Sequence, residues 1–247
     1  RVKPGVHADS HHYMVTGTED SKFGCNILNG EAWEAIRQII QLKGLHLRGI
    51  HCHIGSQILS LDGFNKSVVI LANFVEELKN QGILVEELNF GGGLGVEYTP
   101  EDQKVSIETY VENMTSKILE EFSNRQLNLP ILMLEPGRSI VAEAGTTLYK
   151  IGSIKQMPGD FIYAAVNGGI ADNIRPALYQ ANYHAVIANK ALDACNTKVK
   201  VVGKCCETGD VVIEEIYLPM PSYGDTLAVL TTGAYNYSMA SNYNRLP

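Results

Sequence analysis

The stretch HCHIGSQ, residues 51–57, sets His51 and His53 two apart at the end of an apolar run and then breaks into Gly55 and Ser56. In a strand, residues two apart share a face, so the imidazoles could bind a metal, face a ligand or sit hydrogen-bonded inside a barrel. Three consecutive glycines, Gly91, Gly92 and Gly93, follow a second apolar run. They leave backbone N–H groups uncovered for an anion such as a phosphate, or simply make a flexible turn from strand to helix. Their spacing fits neither the dinucleotide fingerprint nor a Walker loop. A third run ends on Glu135, Pro136, Gly137 and Arg138, which is a carboxylate, a rigid turn and a guanidinium. At the end of a barrel strand that set could do chemistry; alone it could equally be a structural salt bridge. Further on, IRPALY holds Arg175 and Tyr179 four apart, GKCCETGD holds Cys205 and Cys206 beside Glu207, and GAYNYSMASNYN is crowded with hydroxyls, Tyr235 among them.

The elements that must position these groups follow from periodicity. EAWEAIRQIIQLK (31–43) carries Trp33, Ile36 and Ile40 at helical spacing and leads into the apolar strand LHLRGIHCHI. Residues 63–80 place Phe64, Val68, Leu71, Val75 and Leu78 on one helical face before the strand-like VEELNF. Residues 102–124 repeat the pattern with Ile107, Val111, Met114, Ile118 and Phe122, and Pro130 introduces the strand ILMLEPGR. Strands alternating with helices at this pitch imply parallel βα units. After about residue 143 the texture changes to short β-branched runs between Gly, Pro and Asp: TTLYKIGSIKQ, DFIYAAVNGG, KVKVVG, DVVIEEIYL and DTLAVLTTGAY. The expected architecture is therefore α/β over residues 1–142 and all-β, a barrel or sandwich, over 143–247. An eightfold βα barrel needs roughly 200–250 residues, so the α/β part is too short to close one. The chain opens on RVKPG without a methionine and ends on SNYNRLP, which leads us to expect an internal piece of a longer protein.

Composition excludes several classes. Net charge is −7, and the 20 lysines and arginines are scattered, which argues against nucleic acid as a partner. No apolar run approaches 18 residues and no signal-peptide pattern is present, so we expect no membrane partner and a cytoplasmic or plastid-stroma location. Five cysteines, an odd number with two adjacent, read as thiols rather than a disulfide framework.

Taken in order, HIGSQ, GGGLG, EPGR, RPALY, CCETGD and GAY resemble the fold-type III pyridoxal-phosphate decarboxylases of basic amino acids, across essentially the whole chain. TGTEDSKFG (16–24) and SNYNRLP (241–247) fit the same resemblance. It implies an alanine-racemase-like TIM (βα)8 barrel, of which residues 1–142 are the second half, followed by a β domain. It also implies a homodimer with shared active sites, pyridoxal 5′-phosphate as cofactor, and no metal. By resemblance, His53 stacks on the pyridine ring, Glu135 pairs with the ring nitrogen, and His51 is structural. Ser56, Gly91, Gly92, Gly93, Pro136, Gly137, Arg138 and Tyr235 surround the cofactor phosphate. Cys206 protonates the substrate carbon from the opposite subunit, whereas Cys205 packs, because adjacent strand residues point to opposite faces. Arg138, Arg175, Tyr179, Glu207 and Tyr235 contact the substrate. The implied reaction converts meso-2,6-diaminopimelate to L-lysine and carbon dioxide. Alternatives are a decarboxylase of ornithine, arginine or a carboxylated polyamine, or a regulatory homologue that has lost the cofactor. Arg175 could instead pair with a structural carboxylate such as Asp172. The family attaches its cofactor through a lysine in a KAN-type motif; no lysine here lies in one, and Lys190 in ANKALDA falls in the β part. The piece alone is therefore expected to be inactive.

Overall fold

A computed structural model describes residues 1–6, 22–159 and 161–245; residues 16–21 of the TGTEDSKFG stretch and the last two of SNYNRLP lie outside them. The chain divides into two units, one of residues 1–96 with 104–139 and one of residues 97–103 with 140–247. Residues 97–103 thus group with the later part of the chain rather than with the helices around them. The Tyr98 ring meets that of Tyr183 edge-on at 5.2 Å, and the Tyr98 carbonyl accepts from the His184 N–H at 3.0 Å.

The first unit opens with a short parallel pair, β1 (Val2–Lys3) and β2 (Cys25–Asn26), and helix α1 (Glu31–Gln41). Then β3 (Gly49–His51), α2 (Asp62–Asn80), β4 (Glu87–Asn89), α3 (Ile107–Asn124) and β5 (Ile131–Met133) alternate, and α4 (Arg138–Val141) leads on toward the second unit. The three longer-range strands form one parallel sheet in the order β3-β4-β5. A parallel pair needs a crossover, and α2 and α3 supply the two crossovers here. On α2, Phe64, Val68, Leu71, Val75 and Leu78 are buried as their spacing requires. They join Met114 and Phe122 of α3 and Leu88 of β4 in one core, where Trp33 meets Phe74 and Phe64 meets Tyr110 edge-on.

Two helical expectations need correction. The third helix starts at Ile107 rather than near residue 102, because Ser106 caps it: its Oγ accepts the Thr109 N–H at 3.1 Å. Asp102 is occupied otherwise, its carboxylate accepting the N–H groups of Tyr98 and Thr99 at 2.9 and 3.0 Å to close a turn. Ile107 and Val111 are exposed, so the buried face runs through Tyr110, Met114, Ile118 and Phe122. Ile40 of α1 is exposed too, since that helix buries only Ala32 and Ile36.

The second unit is a six-stranded sheet built from β6 (Thr147–Gln156), β7 (Phe161–Val166), β8 (Ala185–Ile187), β9 (Thr197–Val202), β10 (Val211–Leu218) and β11 (Thr226–Val229). A short helix, α5 (Arg175–Tyr179), lies between β7 and β8. The strand order is β10-β9-β7-β6-β11-β8, with β7 and β9 parallel and the other neighbours antiparallel. The edge strands β10 and β8 also approach one another, curling the sheet toward closure. Alternation sets its faces: on β7, Ile162, Ala164 and Val166 point inward and the residues between them do not.

Core and cap should separate on unfolding. Leu71→Ala, at a position with no exposed surface, is expected to cost about 2–5 kcal/mol, and Ser106→Ala about 1 kcal/mol, in urea unfolding followed by circular dichroism. Equal losses from the two would contradict the packing described.

Candidate active site

The parallel register sets Gly49, Glu87 and Ile131 in one row and His51, Asn89 and Met133 in the last. The segments that leave the carboxyl ends of β3, β4 and β5 therefore start side by side, and they carry His53, Gly91–Gly93 and Glu135. In open and closed α/β sheets this is the edge where ligands bind.

Strand β3 ends at His51, so His51 and His53 do not share a strand face as their spacing suggested. Each meets a different partner. The Nε2 of His51 lies 3.7 Å from Glu135 Oε2, an ion pair only when the ring is protonated. The Nδ1 of His53 accepts the Gly92 N–H at 3.2 Å. A neutral His53 must then carry its proton on Nε2. Burial pushes the His53 imidazole below its ordinary value; the charges of Arg1 and His51 add to this and Glu135 opposes it. Burial likewise lowers His51, again against Glu135.

Glu135 is half exposed, its Oε1 accepting from Asn89 Nδ2 at 2.8 Å. Asn89 also accepts the Gly91 N–H at 2.8 Å, so one amide ties the glycine loop to the acid. The glycines themselves are demanded by close approach. A Cβ would lie 2.8 Å from the Cys52 carbonyl oxygen at Gly91, 2.3 Å from that of Glu135 at Gly92, and 2.3 Å from that of Gly55 at Gly93. Gly91 and Gly93 also have positive φ, of 66° and 103°. The N–H groups of Gly91 and Gly92 thus serve the loop in this state, a role that a bare GGG run does not disclose. Nearby, buried Arg138 donates to Ser56 Oγ at 2.8 Å. A buried guanidinium beside a hydroxyl, an acid at a strand end and an uncharged imidazole fit the phosphate, ring nitrogen and ring face of pyridoxal 5′-phosphate.

In the second unit, Arg175 opens α5 and is 2% exposed. It is not paired with Asp172, whose carboxylate instead accepts the Gly169 N–H at 2.8 Å. The guanidinium donates to the Tyr183 hydroxyl and lies 4.8 Å from the Tyr98 ring centre, while its Nε has no hydrogen-bond partner among the described residues. Tyr179 ends the same short helix, half-buried. Cys206 and Glu207 are exposed on a bend rather than a strand, so strand alternation does not decide the roles of Cys205 and Cys206. Glu207 accepts from Tyr243 Oη at 3.0 Å and from the Gly209 N–H at 3.2 Å, and these bonds hold its carboxyl below the ordinary range. Tyr235 has φ 65° and follows Gly233, where a Cβ would sit 1.9 Å from the Val141 carbonyl oxygen.

Sequence reasoning missed Asn89, Gln57, Tyr98 and Tyr183. Asn89 had a signal, being polar at the end of an apolar run just before the glycines. Gln57 lies in the HIGSQ stretch, whose residue types assign it no task. Its side-chain amide pairs with Val96 at 2.7 and 3.1 Å, and its φ is 59°.

Residues 1–142 match the family described as pyridoxal-dependent decarboxylase, pyridoxal binding domain. Over its whole length the chain is 47% identical to the diaminopimelate decarboxylase of Bacillus subtilis and 45% identical to that of Bacillus methanolicus. It covers 56% and 57% of those proteins, so it spans about half the length of the curated relatives it matches. A crystal structure of diaminopimelate decarboxylase from M. jannaschii in co-complex with L-lysine matches with a TM-score of 0.88 at 34% identity, over 99% of this chain and 55% of that one.

Two outcomes check the site geometry. His53, lowered from 6.5, should titrate below that value by NMR. Its stabilising contribution is then complete above pH 6.5 and lost as the pH falls through the lowered folded value, a dependence that His53→Gln should flatten. A midpoint at or above 6.5 refutes the burial argument. Separately, Gly92→Ala should destabilise by about 1–3 kcal/mol through overpacking, whereas Gly152→Ala, whose Cβ meets only the Ala165 carbonyl oxygen at 3.6 Å, should cost far less.

Proposed function

Because this chain belongs to the pyridoxal-dependent decarboxylase family, we propose that the protein removes one carboxylate from meso-2,6-diaminopimelate to give L-lysine and carbon dioxide, with pyridoxal 5′-phosphate as cofactor. The observation that carries the substrate choice is Arg175, a cation with 2% exposure, an unpartnered Nε and no carboxylate beside it among the described residues. A buried charge of that kind is costly until an anion arrives, and a second carboxylate at the far end of the substrate is such an anion. The barrel reading has its own support: Ile131 and Met133 of β5 are apolar yet exposed, as on a face that a barrel interior would take.

When bound, pyridoxal phosphate supplies an electron-poor ring that accepts the electron pair left as carbon dioxide departs. Glu135 would hold a proton at the ring nitrogen and so keep that ring cationic. Neutral His53 would lie against the ring face, its orientation set by the Gly92 N–H. Ser56, Arg138, Tyr235 and the main-chain N–H groups of Gly93 and Gly137 would hold the phosphate. For the substrate, Arg175 and Tyr179 would donate to the distal carboxylate, and Glu207 would accept from the distal ammonium. Cys206, on a second copy of the chain, would return a proton to the carbon that has lost its carboxylate.

In the complete enzyme, Arg175→Ala should raise the KM for diaminopimelate at least about tenfold, since an unpaired substrate charge costs on the order of 1.4 kcal/mol or more. Glu135→Gln should slow lysine release by orders of magnitude and change cofactor affinity less. Mixing Glu135→Gln with Cys206→Ala subunits should restore some activity if two copies share each site. Putrescine from ornithine as the main product, or an Arg175→Ala variant with wild-type KM, would show the specificity reading to be wrong.

A further inference from the structure

Asp210 ends the GKCCETGD stretch and is 3% exposed, yet among the described residues no lysine, arginine or histidine pairs with it. The other buried aspartate, Asp225, has Lys190 Nζ at 2.7 Å. Asp210 is satisfied by main chain instead. Its Oδ1 accepts the Ile170 N–H at 2.6 Å and its Oδ2 the Cys205 N–H at 2.7 Å. Both are short, charge-assisted bonds to a carboxylate with little exposed surface, where each is worth more than at the open surface. The same residue closes its own loop: its carbonyl accepts the Gly203 N–H at 2.8 Å and its N–H donates to the Glu207 carbonyl at 3.0 Å. Glycine is obligatory on both sides of the carboxylate, since a Cβ would lie 2.3 Å from its Oδ1 at Gly169 and 2.2 Å at Gly203. The Cys205 thiol is held above its ordinary range by burial and then by the Asp210 charge, so that sulfur is kept protonated beside the acid.

One carboxylate therefore joins two segments of the second unit. One is the turn 168–173, which leads into Arg175, and the other is the bend that presents Cys206 and Glu207. We propose that Asp210 is a positioning residue, whose buried carboxylate ties the Ile170 and Cys205 main chains together and thereby fixes the bend from which Cys206 delivers its proton to the site on a second copy of the chain. The proposal rests on the reading of Cys206 given above. Glu207 depends on it less, being held by Tyr243 and Gly209 as well. Losing the clasp should thus affect the proton transfer more than the grip on substrate.

The test uses the complete holoenzyme. Asp210→Asn keeps the shape but turns an NH2 group toward one of the two N–H donors. Amide exchange at Ile170 and Cys205 should accelerate, and the alkylation rate of Cys206 by iodoacetamide should change. The kcat for lysine release should fall about tenfold or more, with KM changed less than about threefold and the cofactor absorbance unaltered. Unchanged exchange and alkylation in Asp210→Asn would overturn the clasp. Accelerated exchange with kcat intact, or a rise in KM with kcat intact, would overturn the positioning role. Should the wild type release no lysine, the function reading fails while exchange and alkylation still judge the clasp. If Asp210→Asn does not fold, the wild type decides: Ile170 and Cys205 lie outside any strand, yet their amides should exchange as slowly as those of β9. Fast exchange there overturns the proposal.

Discussion

The parallel register that sets Ile50 beside Leu88 and Leu88 beside Leu132 is the constraint on which the first unit depends. Parallel strands all leave the sheet at the same edge, so once these rows are aligned the three following segments must share one small volume. They can do so only if backbone packs on backbone. That is why Gly91, Gly92 and Gly93 sit within van der Waals reach of the carbonyl oxygens of Cys52, Glu135 and Gly55. The tight loop then orients chemistry: its Gly92 N–H sets the tautomer of His53, and Asn89 spans from the Gly91 N–H to the Glu135 carboxylate. A single added methyl would disturb an imidazole and an acid at once.

The second unit handles buried charge in two ways, and the contrast is informative. Asp225 meets Lys190 in an ordinary ion pair. Among the described residues, Arg175 and Asp210 meet no counter-charge; aromatic faces and a phenol surround the first, and main-chain N–H groups the second. Each arrangement stabilises a charge without neutralising it. For Arg175 this leaves a cation available to an arriving anion. For Asp210 it makes a rigid anchor, because hydrogen bonds to main chain from two segments leave little freedom to either. One unit thus holds a receptive charge and a structural one within a few residues of the same two loops.

Much of this was legible in the residues. The α2 face of Phe64, Val68, Leu71, Val75 and Leu78 read correctly, and the ordered motifs from HIGSQ to GAY pointed to the family that the chain matches, since periodicity and short motifs are local properties. Sequence periodicity alone placed the start of α3 too early, because the Ser106 cap and the Asp102 turn compete for the same residues and only geometry ranks them. It also could not assign Arg175 against Asp172, or tell His51 from His53.

Sequence by itself determined the alternation of helix and strand, the candidate groups and the family they resemble, because each is written in spacing along the chain. Tertiary structure decided which groups meet. The partner of the His53 ring, the bridge from Asn89 to Glu135 and the clasp of Asp210 on Ile170 join residues 39, 46 and 40 positions apart. Contacts at that separation depend on strand register and loop path, which no local pattern encodes.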